Sequence, residues 1–208
     1  KLAFDKVLLL YKELKENGHN IVNLDLGGGI GVAYDDNTKI FHIDKYADLI
    51  KEKFGSLGCK LIFEPGRYIT ANAGILLTKV IRNKKSYDNN FLIVDIAMND
   101  ILRPALYDAY HEVIAVREPK KGQELIDYQV VGPICETGDI ICRNAVIGKI
   151  EDGELLAIKF AGAYGAVMSS YYNSRDLVPE IMISNKKINI IRQRILIEDF
   201  ISYENIPS

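Results

Sequence analysis

The segment Asn20–Gly31, NIVNLDLGGGIG, decides the fold class: a short apolar strand over residues 20–26 runs straight into Gly27-Gly28-Gly29-Ile30-Gly31. Upstream of it, Phe4, Val7, Leu8, Tyr11 and Leu14 recur at helical spacing, and Asn17-Gly18 supplies a stop, so residues 2–17 are expected to form an amphipathic helix. Downstream, Ile43, Tyr46, Ala47, Ile50 and Phe54 signal a second helix, and residues 60–63 a second buried strand. Helix, strand, glycine loop, helix and strand make the rhythm of a parallel α/β structure. Two parallel strands do not close a core, so this region reads as one end of a larger α/β unit. The chain also begins without methionine and already inside a helical pattern, which reads as a piece of a longer protein.

Past Gly66 the pattern changes. Runs rich in β-branched and aromatic residues fall at 74–82, 91–96, 111–116, 124–131, 155–160, 180–184 and 187–191, and Cys142 lies in a further apolar strand. Turn chemistry separates them at Tyr87-Asp88-Asn89-Asn90, Glu118-Pro119-Lys120-Lys121-Gly122, Glu151-Asp152-Gly153 and Ser184-Asn185-Lys186. An antiparallel sheet domain is expected over 71–208, after an α/β remnant over 1–70, with the boundary near 68–74.

Of 208 residues, 48% are hydrophobic and 26% charged, enough apolar content for a packed core. A net charge of −2 without a basic stripe excludes a nucleic-acid footprint. Three cysteines without a CxxC pair signal neither a disulfide framework nor a zinc site, and no metal is expected. No apolar run reaches the roughly 18 residues that span a bilayer, so a cytoplasmic location without membrane partners is expected.

Two adjoining strand ends carry groups suited to charge recognition. Gly27, Gly28 and Gly29 expose backbone N–H groups that can approach one anion closely, with phosphate as the obvious guest; a tight ligand-free turn is the plain alternative. Glu64-Pro65-Gly66-Arg67 places an acid and an arginine at the carboxyl end of the next strand, where α/β folds set their active sites; a surface ion pair is the alternative there. Cys135-Glu136-Thr137-Gly138-Asp139 follows a Gly-Pro turn, so its thiol and carboxylates are expected to project from a loop. Acidic neighbours suit that thiol to giving a proton rather than to resting as a nucleophile, whereas Cys59 and Cys142 read as structural. Gly162 to Asn173 reads as a glycine-rich turn entering a short helix.

In order, LDLGGGIGVAY, FEPGRYITANAG, ILRPALYDAYH, GPICETGD and AGAYGAVMSSYYNSR span residues 24–175 and resemble the successive signatures of diaminopimelate decarboxylases, within the fold-type III pyridoxal-phosphate decarboxylases. The resemblance implies the last strands of a (β/α)8 barrel, followed by a β-barrel-like or sandwich-like domain. It implies that pyridoxal 5'-phosphate is held through its phosphate by Gly27, Gly28 and Gly29, beside Glu64, Pro65, Gly66 and Arg67, with Tyr164 completing the pocket. Glu64 would face the pyridine nitrogen. Cys135 resembles the proton donor, and Glu136 the residue that grips the substrate's distal ammonium. Both are delivered across a homodimer interface. Arg67, Arg103 and Tyr107 correspond to contacts with the substrate's distal carboxylate, and Tyr164 is counted among the substrate-binding residues as well. The implied reaction converts meso-2,6-diaminoheptanedioate to L-lysine and CO2, the last step of lysine biosynthesis.

Departures from the family pattern are Thr137 for serine, Val167 for serine, Tyr171, and the pair Asp176-Leu177. The cofactor-bearing lysine and the ring-stacking histidine of the family belong to earlier barrel strands. Lys45, in a helical pattern, and Lys159, in a strand of the second domain, match neither context, so this piece alone is expected to be inactive. Two other readings stand beside this one. An ornithine- or arginine-type decarboxylase predicts an acid where Arg103 stands, and a non-catalytic truncated partner module is suggested by the missing lysine.

Overall fold

The computed structural model describes residues 2–34, 41–118 and 122–207, and the chain divides into two compact units, Lys1–Ile69 and Thr70–Ser208. In the first unit, helix α1 (Leu2–Glu16) ends where expected: Gly18 takes φ 86°, its N–H and that of His19 closing on the carbonyls of Lys15 and Leu14. Strands β1 (Asn23–Asp25) and β2 (Lys60–Ile62) pair in parallel in the register Asn23↔Lys60 to Asp25↔Ile62, with helix α2 (Ile43–Phe54) between them in sequence. Both strands are shorter than their apolar runs, although Lys60 N→Val22 O and Leu26 N→Ile62 O continue the ladder at either end.

Apolar residues at i, i+3, i+4 and i+7 of α1 put Tyr11 inside, where its hydroxyl donates to the Leu57 carbonyl at 3.0 Å. Phe54 is 1% exposed, and Phe4 packs edge-on against it with ring centroids 5.6 Å apart. Lys53 pairs with Asp5, tying α2 to α1. The short helix α3 (Gly66–Thr70) follows β2.

In the second unit, a six-stranded sheet has the order β5-β8-β3-β4-β6-β7, formed by β3 (Leu76–Ser86), β4 (Asn89–Val94), β5 (Val113–Ala115), β6 (Leu125–Val131), β7 (Ile140–Gly148) and β8 (Leu155–Ile158). Its outer strands β5 and β7 return into contact, so the sheet is nearly closed. Val80, Leu92, Val94, Tyr128, Val130 and Leu156, each at most 1% exposed, fill its interior.

The expectation of an antiparallel sheet needs correction: β4 and β6 are parallel, in the register Asn90↔Tyr128 to Ile93↔Val131. Hairpin turns set the β3–β4 pairing, but the chain leaves β4, forms helix α4 (Arg103–Tyr107) and β5, and only then returns to β4 as β6. Such a crossover brings the returning strand in parallel. The sheet is therefore mixed.

Outside the sheet, β9 (Glu180–Ser184) and β10 (Lys187–Arg192) form a hairpin closed by Asn185 and Lys186, both with positive φ. That is the type I′ geometry suited to a two-residue turn. Helix α5 (Ile197–Ile201) ends the ordered elements. The expected turn at 118–122 lies largely outside the described residues. No helix among the described residues is long and apolar enough to cross a membrane.

Candidate functional site

In the first unit the two expected anion-facing turns lie side by side. They leave the carboxyl ends of paired strands, and Glu64 N donates to Gly27 O at 2.8 Å, locking one loop to the other. Gly27 N donates to Asp25 Oδ1 at 2.8 Å. A Cβ on Gly28 would stand 2.4 Å from the Glu64 carbonyl oxygen, so only glycine permits this approach. Gly27 and Gly29 take φ of 67° and 74°, a conformation costly to any other residue type. Glu64 and Arg67 are exposed, and Pro65 and Gly66 make the turn into α3, where Gly66 N returns to Glu64 O at 2.9 Å. The structure thus brings Gly27, Gly28 and Gly29 together with the Glu64–Gly66 backbone.

In the second unit, Arg103 is buried, only 6% exposed. It opens α4, and Pro104 follows it within the first turn, where a missing N–H costs nothing. Asp108 then takes a left-handed φ of 50° and turns the chain back, so that the Arg103 guanidinium meets His111 Nε2 at 2.9 Å. Tyr107, on the same short helix, is 64% exposed.

The Cys135 loop is built around a buried carboxylate. Asp139 is 3% exposed and accepts from Met98 N at 2.6 Å and from Ile134 N at 3.1 Å. A Cβ on Gly132 would fall 2.1 Å from its Oδ2, so glycine makes room for it. Burial raises Asp139 above the ordinary carboxylate range, opposed by the two backbone N–H donors and by Arg175. Above this core, Cys135 and Glu136 project outward, exposed as expected, whereas Asp139, expected to project with them, is turned inward to accept from two backbone N–H groups.

Glu136 accepts from Gly138 N at 3.2 Å and from the Tyr172 hydroxyl at 3.0 Å. The Gly138 N–H, then Tyr172 and the Thr137 N–H, lower its pKa, while Tyr172 is raised by the same contact. Glu136 is an anion at neutral pH, suited to an ammonium group. Tyr164 is 42% exposed with φ 60°, backbone strain of the kind that clusters at ligand sites. The expected helix in this segment is two 3-10 turns, Ala166–Met168 and Tyr172–Ser174.

The turn Ala97–Asp100 holds these pieces in place. Met98 N binds Asp139, Ala97 N binds Asp100 Oδ2 at 2.9 Å, and Asn99 exchanges two bonds with Ser170, through Asn99 Nδ2→Ser170 O at 3.1 Å and Ser170 N→Asn99 O at 3.0 Å. Arg103 begins three residues later. Asp139, His111, Tyr172 and Asn99 drew no functional reading from the sequence, although the first three lie inside motifs quoted there. Cys142 is buried, and burial raises its thiol pKa; Cys59 is half-buried, in keeping with structural cysteines. Lys45 lies in α2, and Lys159, expected within a strand, follows the end of β8 and pairs with Glu112. Among the described residues no cluster of three or more His, Cys, Asp or Glu is placed to hold a metal ion.

Residues 13–162 match the family described as pyridoxal-dependent decarboxylase, C-terminal sheet domain, and the chain belongs to that family, whose cofactor is pyridoxal phosphate. Among individual proteins it is similar to the diaminopimelate decarboxylase of Zymomonas mobilis, 47% identical over 203 residues, which cover 97% of this chain and 48% of that protein. The diaminopimelate decarboxylase of Aquifex aeolicus is 42% identical over 192 residues, 92% of this chain and 45% of that protein. The crystal structure of the Helicobacter pylori diaminopimelate decarboxylase complexed with L-lysine superposes with a TM-score of 0.87 at 38% identity, covering 96% of this chain and 49% of that one. The chain therefore spans about half the length of these relatives.

Proposed function

We propose that the whole protein is a pyridoxal-phosphate-dependent carboxy-lyase that converts meso-2,6-diaminoheptanedioate to L-lysine and CO2. The observation that carries this reading is Arg103, an arginine buried to 6% exposure in the motif where the relatives named diaminopimelate decarboxylase align. An ornithine- or arginine-type enzyme has no carboxylate at the far end of its substrate for such a group to meet.

The first unit fits the cofactor. A Cβ on Gly28 would strike the Glu64 carbonyl, and Gly27 and Gly29 add backbone free of side chains, the kind of loop a phosphate can approach closely. Gly27, Gly28 and Gly29 would hold the phosphate beside Pro65, Gly66 and Arg67, in a unit that forms the end of a (β/α)8 barrel. When bound, pyridoxal phosphate supplies an electron sink for the pair left behind as CO2 departs. Glu64 keeps a proton on the pyridine nitrogen, which favours the transition state over the ground state.

The second unit reads the substrate. Arg103 and Tyr107 take the distal carboxylate; Tyr164 adds a hydroxyl; anionic Glu136 takes the distal ammonium. Cys135 gives the proton that replaces the lost carboxylate on the α-carbon. Cys135 and Glu136 serve the site of a second copy in a homodimer.

Incubating the full-length protein and pyridoxal phosphate with diaminopimelate carrying labelled carboxyl carbons tests the reading. Labelled CO2 and lysine are expected in equal amounts. Absence of lysine among the products overturns it.

A further inference from the structure

His111 follows Arg103 by eight positions in LRPALYDAYH, and the structure shows what that spacing achieves. The chain makes one short turn of helix, reverses at left-handed Asp108, and is closed by Ala109 N→Arg103 O at 3.3 Å. His111 then returns beneath Arg103 with none of its surface exposed. Two residues further on β5 begins, pairing with β8 in the register Val113↔Ile158. Lys159 N→Glu112 O at 2.9 Å extends that ladder by one rung.

The next group along is the imidazole itself, with His111 Nδ1 2.9 Å from the Lys159 carbonyl and Nε2 2.9 Å from Arg103 Nη1. Hydrogen-bond chemistry fixes the proton. A guanidinium N–H can only donate and a carbonyl can only accept, so Nε2 is the bare acceptor and Nδ1 carries the hydrogen. The arginine is thereby tied through one ring to the rigid sheet.

We propose that His111 is a positioning residue for substrate recognition, fixing the plane and reach of the Arg103 guanidinium so that it meets the distal carboxylate of an amino diacid. This rests on the reading of Arg103 given above. Aim matters because a carboxylate is gripped by parallel N–H bonds in one plane, and a guanidinium that swivels loses that geometry. The charged groups around the ring agree with a neutral imidazole. Arg103 faces Nε2, and on the sheet side Lys159 and Glu112 pair with each other. Burial is the main influence lowering the His111 pKa; the Lys159 carbonyl raises it and the Arg103 charge lowers it further. An imidazolium would turn a donor toward a cation.

In the full-length protein, His111→Phe keeps the ring volume and removes the acceptor. It should raise KM for diaminopimelate roughly tenfold to a hundredfold, the worth of one charge-assisted bond, with kcat changed far less. His111→Gln, which keeps an acceptor for Arg103, should recover most of that loss. A buried histidine with a merely structural role would lower thermal stability in both variants and leave KM alone, and that outcome overturns the proposal.

Arg103→Met separates the two claims. If it leaves KM unchanged, the reading of Arg103 fails; if it raises KM while His111→Phe does not, only the role of His111 fails. Should the variants not fold, 15N NMR of the wild-type imidazole decides: a protonated Nδ1 with bare Nε2 at neutral pH is expected, and the opposite tautomer overturns the proposal.

Discussion

The two units solve different problems. The second has a nearly closed six-stranded sheet around a contiguous apolar core, and it buries two functional-motif polar groups with partners: Asp139 with two backbone N–H groups, His111 with Arg103 and a carbonyl. The first has two three-residue strands, with Tyr11, Ile30, Ile50 and Phe54 as its buried apolar side chains among the described residues. Its loops are fixed by backbone geometry instead, by glycines at positive φ and by one carbonyl packed on Gly28. A phosphate needs bare peptide groups, which such loops supply. An amino diacid needs aimed side chains, and those need a core to aim them.

The contrast can be broken first at Glu64. If Glu64 faces the pyridine nitrogen as proposed, Glu64→Gln should lower kcat by on the order of a hundredfold to a thousandfold in the full-length protein, with KM little changed. Steady-state kinetics with saturating cofactor would show it. An unchanged kcat would remove the first unit from the chemistry.

Gly28→Ala comes next. Its Cβ would meet the Glu64 carbonyl at 2.4 Å, an overpacking worth about 1–3 kcal/mol. Drawn from cofactor binding, that is a loss of roughly tenfold to a hundredfold in affinity, readable by titration of pyridoxal phosphate fluorescence. The fold of the second unit should be untouched.

In the second unit the weak point is a carboxylate rather than a glycine. Asp139→Ala orphans two backbone N–H groups, each costing about 1–3 kcal/mol, offset in part by relief of the buried charge. The melting temperature should fall, and alkylation of Cys135 should speed up relative to Cys59. Gly132→Ala should be harmful alone and mild in the Asp139→Ala background, because the atom it strikes is then gone.

A smaller effect is set by pH. The His111 pKa is depressed in the folded state from its ordinary 6.5, so below that value the unfolded chain binds a proton that the native protein resists. Stability should be fully present above about 6.5 and decline as pH falls through that value toward the depressed one. His111→Gln should flatten this part of the profile in a series of thermal melts.

Smallest of all, Tyr172→Phe should let the Glu136 pKa rise back toward its ordinary value, visible in an NMR titration of the Glu136 carboxylate.

Much of this architecture is legible in residue order. The spacing of Phe4, Val7, Leu8, Tyr11 and Leu14 gives α1, and Asn185-Lys186 gives the β9–β10 turn, because helix periodicity and turn chemistry are local properties. The parallel β4–β6 pair is not legible, since a strand's text carries no direction relative to a partner 38 residues away. Strand β7 is hard to see for another reason. Its Arg143-Asn144 pair breaks the alternation of buried residues, so the full span Ile140–Gly148 does not stand out.

The candidate site divides along the same line. Glycines, Glu64, Arg103 and Cys135 declare themselves by type and motif. Asp139 and Tyr172 gain meaning only from partners 41 and 36 residues distant.

One competition measurement tests the central claim most directly. The full-length protein with pyridoxal phosphate is given equal concentrations of diaminopimelate, ornithine and arginine in one vessel, and consumption of each is followed. If Arg103 takes a distal carboxylate as proposed, diaminopimelate should disappear on the order of a thousandfold faster than either rival. Equal or faster loss of ornithine or arginine would contradict it.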